Sequence, residues 1–374
     1  MSAPAPVDPL VALTDRCVQC GLCLPVCPTH RYERIEAESP RGRIAIVRAW
    51  ADGALEPTAT GDAHLDACLG CRRCEAACPA GVQYGALLVE ARARQRVRRT
   101  PPIRQRAIET LTAHPRLLSR LLGLYRRVHP VLPATLRPLP CPPRPDASLP
   151  RVADEDVALF VGCVARAYEP AVRTSLTRLC RAAGTPLSIP ATQTCCGALH
   201  AHAGDTATAE RLSARNAAAL SGAARVLTLA SGCHSAVESA TGGARTVDAL
   251  VHLDGLADQL VFKPLVERIA LHRPCTLHAT PGALAATRRL LARVPGLEVV
   301  ELDAGHGCCG AAGTHMLTEP ARAAAFRAPL IDALQASGAT RLLSANIGCR
   351  LHLARATGIP VQHPLELLAD ALVN

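Results

Sequence analysis

Two cysteine runs constrain this chain more than any other feature. Cys17-x2-Cys20-x2-Cys23-x3-Cys27-Pro28 and Cys68-x2-Cys71-x2-Cys74-x3-Cys78-Pro79 share one spacing. Three cysteines at two-residue intervals in a tight turn aim three thiolates at three corners of one iron–sulfur cubane. The fourth, displaced and followed by Pro, reaches a neighbouring cluster. The spacing assigns one [4Fe–4S] cluster to Cys17, Cys20, Cys23 and Cys78, and a second to Cys68, Cys71, Cys74 and Cys27. The crossing keeps the two clusters close, as electron transfer requires. Structural zinc also takes cysteines in such pairs, but it gives no reason for two complete copies that each end in Cys-Pro.

The last two thirds of the chain contain a duplication. Cys163, the pair Cys195-Cys196 before Gly197, and Cys233 recur as Cys275, the pair Cys308-Cys309 before Gly310, and Cys349, at offsets of 112, 113 and 116 residues. Short apolar runs such as Val157–Val161 and Ile269–Leu271 lead toward the single cysteines and alternate with Ala/Leu/Arg helical stretches, a βαβ texture. Strands then deliver cysteines at their C-terminal ends, where α/β sheets place their sites, and a pseudo-twofold axis would set the two sites face to face. Neighbouring cysteines point apart on an extended backbone, so a vicinal pair suits different irons of one cluster better than one tetrahedral ion. Packing alone does not require a duplicated constellation, although free cysteine packs as a small hydrophobe. Cys141 and Cys180 fall outside both patterns.

The expected architecture is α+β with α/β parts. Residues 1–100 form a helical 2×[4Fe–4S] domain, 101–150 an Arg/Pro-rich and partly helical linker, and 151–262 and 263–374 the two α/β modules. The first six residues hold no apolar signal core and no run suffices to span a bilayer, so a cytoplasmic chain is expected. Reduced cytosolic thiols are more often ligands than disulfides.

Charge is local. Between Arg92 and Arg127 lie eleven arginines and a single acid, Glu109, so this segment alone accounts for the net charge of +10. Arg116, Arg120, Arg126 and Arg127 fall on one side of a helix, and Leu118, Leu121, Leu122, Tyr125 and Val128 on the other. Residues 92–128 suit peripheral contact with anionic lipid, an acidic partner subunit, or packing on the chain's own core. Nucleic acid is excluded as a partner: the strip is short and lacks interleaved aromatics. No GxGxxG opens a helix after a strand, so neither flavin nor NAD is expected on this chain.

The layout resembles the iron–sulfur subunit of bacterial glycolate oxidase (glycolate dehydrogenase), which carries two ferredoxin motifs followed by two cysteine-rich CCG modules. Local strings carry the likeness too: Pro40-Arg41-Gly42-Arg43-Ile44, Ala230-Ser231-Gly232-Cys233, Pro274-Cys275-Thr276-Leu277 and Ala345-Asn346-Ile347-Gly348-Cys349. The resemblance implies an electron-transfer subunit with no catalytic residue of its own. It would take electrons from an FAD-containing 2-hydroxy-acid dehydrogenase subunit, as glycolate becomes glyoxylate, and pass them toward membrane quinone from the inner face of the cytoplasmic membrane. Heterodisulfide reductase, lactate-utilisation proteins and anaerobic glycerol-3-phosphate dehydrogenase share the modules, and a redox-active CCG site of their kind is the alternative. Heterodisulfide reductase modules end in CxxC, whereas here the last position is Ala236 in the first module and His352 in the second. A conventional cluster, a weakened one or none fits Cys163, Cys195, Cys196 and Cys233, and equally Cys275, Cys308, Cys309 and Cys349. His352 is a candidate substitute ligand, and His234, His278, His306 and His315 lie beside CCG cysteines.

Overall fold

Local signals start and stop the helices of the first hundred residues. In the computed structural model, which describes residues 8–145, 156–302 and 308–373, Ser39 caps helix α1 (Pro40–Ala51). Its hydroxyl accepts the Gly42 amide at 2.8 Å, with Pro40 in the first turn. Ile44 and Val47 point inward from α1, and Tyr84, Leu87, Leu88 and Ala91 do so from α2 (Tyr84–Arg98). With Leu10, Leu65, Cys74 and Val82 they form one small core. Among its described residues this unit has no strand. It comprises the chain up to Pro102 together with His200–Thr206. That later segment is held to α2: Arg92 donates to the His202 carbonyl at 2.8 Å, and Arg96 pairs with Asp205 at 3.5 Å.

The Pro-rich stretch after residue 100 holds α3 (Ile103–Ala113) and α4 (Pro115–Val128), and both belong to the second unit. The sequence puts Leu118, Leu121, Leu122, Tyr125 and Val128 on one apolar side of α4; the structure divides that side. Leu122 is buried and Leu118 and Tyr125 are half-buried, whereas Leu121 and Val128 are exposed beside Leu117 and Leu124. The eleven arginines divide as well. On α2, Arg94 pairs with Asp8 and Glu90, Arg96 with Asp205 and Arg98 with Asp62. Just past its end, Arg99 pairs with Asp66, while Arg92 serves the Leu65, Cys68 and His202 carbonyls. No helix of the described residues is long and apolar enough to cross a membrane.

Each module of the second unit is a small parallel sheet with helices in the connections. The first runs β1 (Val157–Phe160), α5 (Pro170–Ala182), α6 (Thr206–Ala219), β2 (Arg225–Thr228), α7 (Ser231–Thr241), β3 (Thr246–Asp248) and α8 (Ala249–Asp254). The second runs β4 (Glu267–His272), α9 (Ala283–Ala292), β5 (Leu297–Leu302), α10 (Pro320–Ala336), β6 (Arg341–Leu343), α11 (Ile347–Leu353), β7 (Val361–Gln362) and α12 (Pro364–Ala371). Strand order is β1-β2-β3 in one sheet and β5-β4-β6-β7 in the other. β1 registers on β2 with Val157 opposite Arg225, and β4 on β6 with Ile269 opposite Arg341. Where the second module has edge strand β5, the first keeps a single parallel bridge, Ala158 to Ser188. The modules are thus one plan with one strand reduced to a residue. All of β1 is buried, as expected of a parallel strand covered on both faces.

The modules pack reciprocally. α5 of the first meets α12 of the second, and α9 of the second meets α8 of the first. These are equivalent pairs with roles exchanged, the mark of a twofold relation. One core runs through both, from Leu159, Leu176 and Leu179 to Leu343, Leu365 and Leu368. Polar ties reinforce it. His363 caps α12 through Nδ1, which accepts the Leu365 amide, while its Nε2 donates to the Leu229 carbonyl at 3.0 Å. Burial holds this imidazole neutral. Arg350 on α11 is buried against Glu169, just before α5, and lies 3.5 Å from Glu366 on α12. Burial lowers Arg350 to about 10, so it stays charged at neutral pH.

Two glycines fix the Cys-Cys-Gly turns onto helices. Gly197 has φ +85° and Gly310 φ +75°, both left-handed. A Cβ would stand 3.1 Å from the Ala209 carbonyl oxygen of α6 at Gly197, and 2.3 Å from the Ala323 carbonyl oxygen of α10 at Gly310. Gly197→Ala is expected to cost about 1–2 kcal/mol for its backbone conformation. Gly310→Ala should cost clearly more, because helix backbone must also move; urea denaturation of the two variants checks the order. Arg350→Met strands Glu169 in the core and should cost roughly 3–5 kcal/mol. A loss below about 1 kcal/mol in the same assay would show that the pair does not join the modules.

Candidate functional site

In the first unit each cysteine run is curled by the same backbone device. The residues on either side of the second cysteine are left-handed in both: Gln19 (φ 54°) and Gly21 (φ 82°) around Cys20, Gly70 (φ 61°) and Arg72 (φ 55°) around Cys71. Left-handed Gln and Arg cost free energy and persist where the surroundings impose them. The double reversal turns successive thiols inward. Cys17, Cys20, Cys23 and Cys78 line one open pocket, which Cys74 and Tyr84 also reach. Burial pushes the Cys74 thiol far up, and after burial the strongest contributors are the negative charges of Cys68, Cys71 and Cys27, ahead of Cys23. Cys78 thus shares the pocket of the first run, and the charge of Cys27 is felt by Cys74 of the second run and by Cys23 of the first. Among the described residues no three His, Cys, Asp or Glu side chains are gathered as ligands of a single ion would be.

A buried polar network backs the second group. Arg43 of α1 is fully buried and donates to Thr29 Oγ1 at 3.0 Å, to the Glu38 carbonyl at 2.6 Å, to the His64 carbonyl at 2.6 Å, and to the Glu38 carboxylate. Glu38 Oε1 also meets His64 Nδ1 at 2.8 Å. Thr29 Oγ1 lies 3.2 Å from Cys27 Sγ, and the Tyr84 hydroxyl donates to Cys68 Sγ at 3.6 Å. Burial opposes ionisation of Cys68, yet its thiol is pulled below the ordinary value by the charges of Arg43 and Arg92, with the Gly70 amide and Tyr84 hydroxyl assisting. The all-thiol donor set, with a buried cation and hydroxyl donors behind it, fits iron–sulfur clusters, whose sulfurs take such bonds.

In both modules the single cysteines leave neighbouring strands. Cys163 follows β1 and Cys233 follows β2; Cys275 follows β4 and Cys349 follows β6. Crossovers depart in opposite directions from the gap between β4 and β6, the switch point at which α/β sheets bind ligands. Cys195 and Cys196 join the first site. Hydrogen bonds run between the thiols of Cys163 and Cys195, Cys195 and Cys196, and Cys196 and Cys233. Cys196 accepts from both sides and is pushed far down, whereas Cys195 and Cys233 are pushed up. Asn216 of α6 pins this turn by accepting the Thr194 amide at 2.8 Å and donating to the Cys195 carbonyl at 2.7 Å. In the second site Cys309 and Cys349 sulfurs lie 2.9 Å apart, and the Cys349 thiol is pushed up by Cys309, burial, Cys275 and Cys308.

The structure turns His352 away from that site. Its Nε2 is 3.2 Å from the Ala323 carbonyl and its Nδ1 3.4 Å from an Arg327 nitrogen, and burial lowers its pKa to about 4. Both ring nitrogens are engaged, so neither offers iron a lone pair. His234 bonds Thr228, His278 is exposed on the Cys275 carbonyl, and His315 meets the Gly310 carbonyl. His306 lies outside the described residues. Cys180 is core, its thiol raised to about 12 by burial, and Cys141 is exposed.

Residues that spacing did not reveal tie the two sites together. Ser231 and Thr276 hydroxyls are 2.6 Å apart, and Asn346 Nδ2 reaches Thr276 at 3.1 Å and Ser231 at 3.4 Å. Each neighbours a site cysteine: Cys233, Cys275 and Cys349. The signal lay in the strings around those cysteines, which keep a hydroxyl or amide beside the sulfur.

Family models agree with this division. A 4Fe-4S dicluster domain matches residues 14–82, and a cysteine-rich domain matches twice, at 157–238 and 269–354. The glycolate oxidase iron-sulfur subunit of Escherichia coli (strain K12) is 31% identical over 387 residues, covering 95% of this chain and 93% of that protein. The probable glycolate oxidase iron-sulfur subunit of Bacillus subtilis (strain 168) is 30% identical over 390 residues, covering 90% and 87%. Lactate utilization protein A 2 of Bacillus cereus (strain Q1) is 26% identical over 238 residues, 58% of this chain and 98% of its own. With its dicluster unit, its duplicated cysteine-rich modules and this near full-length identity, the chain belongs to the family of glycolate oxidase iron–sulfur subunits.

Proposed function

We propose that this chain carries electrons for a flavin-dependent glycolate dehydrogenase, from an FAD-containing subunit toward membrane quinone. The matched double turns around Cys20 and Cys71, with Cys78 in the pocket of the first run and Cys27 felt at Cys74, support the reading. Cys17, Cys20, Cys23 and Cys78 would hold one [4Fe–4S] cluster, and Cys68, Cys71, Cys74 and Cys27 the other. Such clusters supply one-electron chemistry at potentials tuned by charge and hydrogen bonds. The chain's own residues do the tuning: Arg43 and Arg92 favour negative charge at Cys68, and Tyr84 donates to its sulfur. Cys163, Cys195, Cys196 and Cys233, and Cys275, Cys308, Cys309 and Cys349, form two further thiol sites that suit additional iron–sulfur groups. His352 is not a member of the second. Substrate activation belongs to the flavin subunit, and the chain works on the cytoplasmic face of the membrane.

The direct test is reconstitution. The purified chain should bleach in its visible iron–sulfur bands on adding glycolate only when the flavoprotein is present. Bleaching by glycolate without the flavoprotein, or none with it, sinks the assignment. Lactate in place of glycolate decides between the two donors. Tyr84→Phe keeps the packed ring and removes the hydroxyl, so one cluster midpoint should fall while the other stays. Redox titration followed by EPR reads this, and equal shifts in both would contradict the assignment of Tyr84 to one group.

A further inference from the structure

We propose that α4 lays a second apolar face on an anionic lipid surface. The proposal rests on the reading that the chain serves a membrane acceptor and names the surface that meets the membrane. One face of α4 is used internally: Pro115 and Leu122 are buried, and the half-buried Tyr125 donates its hydroxyl to the Leu139 carbonyl at 2.7 Å. A different set points outward. Leu117, Leu121, Leu124 and Val128 are 46%, 41%, 56% and 38% exposed, and Val131, just past the helix, is 83% exposed. At the helical repeat of about 100° per residue, the four helix positions fall within an arc of about 60°. Among the described residues nothing covers that stripe.

The charge beside the stripe has one sign. Arg116, Arg120 and Arg127 are exposed along its edge, and Arg104 and Arg106 are exposed on α3. Glu109, the lone acid of the segment, is buried and accepts from Gln105 at 2.9 Å. The arginines in and just after α2 are spent on Asp8, Asp62, Asp66, Asp205 and backbone carbonyls. Among the described residues, the part of this segment's positive charge that no acid compensates is therefore on α3 and α4, next to the uncovered aliphatic residues. Aliphatic side chains beside an arginine row match acyl chains below a layer of phosphates. Protein interfaces instead centre on aromatic anchors, and the exposed stripe contains only Leu and Val.

Cosedimentation of the full, cluster-loaded chain with extruded vesicles tests this. Vesicles of phosphatidylcholine alone are compared with vesicles that include about 30% phosphatidylglycerol. Binding is expected only to the anionic vesicles and should weaken as salt rises. Leu121→Asp with Leu124→Asp should lower the vesicle affinity by about tenfold or more, and Arg116→Gln with Arg120→Gln and Arg127→Gln should do the same. All five positions are exposed, so iron, sulfide and EPR signals should match the parent chain. Equal binding by parent and variants, binding indifferent to lipid charge, or no binding overturns the proposal. Loss of flavoprotein capture by the leucine variant, with no vesicle binding by the parent, would make the stripe a subunit interface instead. A chain that binds anionic vesicles but contains no iron–sulfur groups would overturn the electron-carrier reading and leave this surface standing.

Discussion

A cysteine side chain reaches only one carbon from the backbone, so in this protein the backbone alone decides where sulfur goes. Each cysteine group answers that constraint with its own device. In the first unit, paired left-handed residues around Cys20 and Cys71 curl the backbone of each cysteine run in the same way. In the modules, neighbouring parallel strands end at the gap where crossovers diverge, and Gly197 and Gly310 let the vicinal cysteines come in against a helix backbone. Reciprocal packing of α5 on α12 and α8 on α9 then brings the cysteine-bearing turns of both modules together at Ser231, Thr276 and Asn346.

Electrostatics completes what the backbone begins. Crowded, buried thiols resist ionisation, as Cys74 and Cys195 do. Cys68 escapes because Arg43 and Arg92 face it. Arg43 is itself affordable in the core because Glu38, Thr29 and the His64 carbonyl satisfy its donors. The arginines of α2 are consumed in the same way, by acids and carbonyls, so their abundance speaks of structure. Among the described residues Arg104, Arg106, Arg120 and Arg127 are exposed and Arg116, also exposed, donates only to the Ala191 carbonyl at 3.3 Å, so this row speaks of an external surface.

Much of this was legible in the sequence because it was written in spacing. Equal intervals in the two runs and offsets of 112, 113 and 116 residues require no structure to read. The strand–cysteine order followed from apolar runs. Other features depend on tertiary context and left no trace in pattern. Nothing in residue type marks Gln19 or Arg72 as left-handed. His352 stands at a ligand position by spacing, but the Ala323 carbonyl of α10 captures its ring. Periodicity placed Leu121 and Leu122 on one apolar side, and only the packing of α4 shows that one is covered and the other is not. The segment His200–Thr206 joins the first unit through Arg92 and Arg96, a long-range choice that texture along the chain does not record.

The central claim is that the eight cysteines of the first unit hold two iron–sulfur cubanes. Iron and acid-labile sulfide analysis of anaerobically purified protein, with EPR of the dithionite-reduced sample, tests it most directly. Two cubanes require about eight iron and about eight sulfide atoms per chain from this unit, and a spectrum broadened by two nearby paramagnets. Additional iron would belong to the duplicated modules. Zinc with no labile sulfide, or a single isolated cluster, would contradict the account.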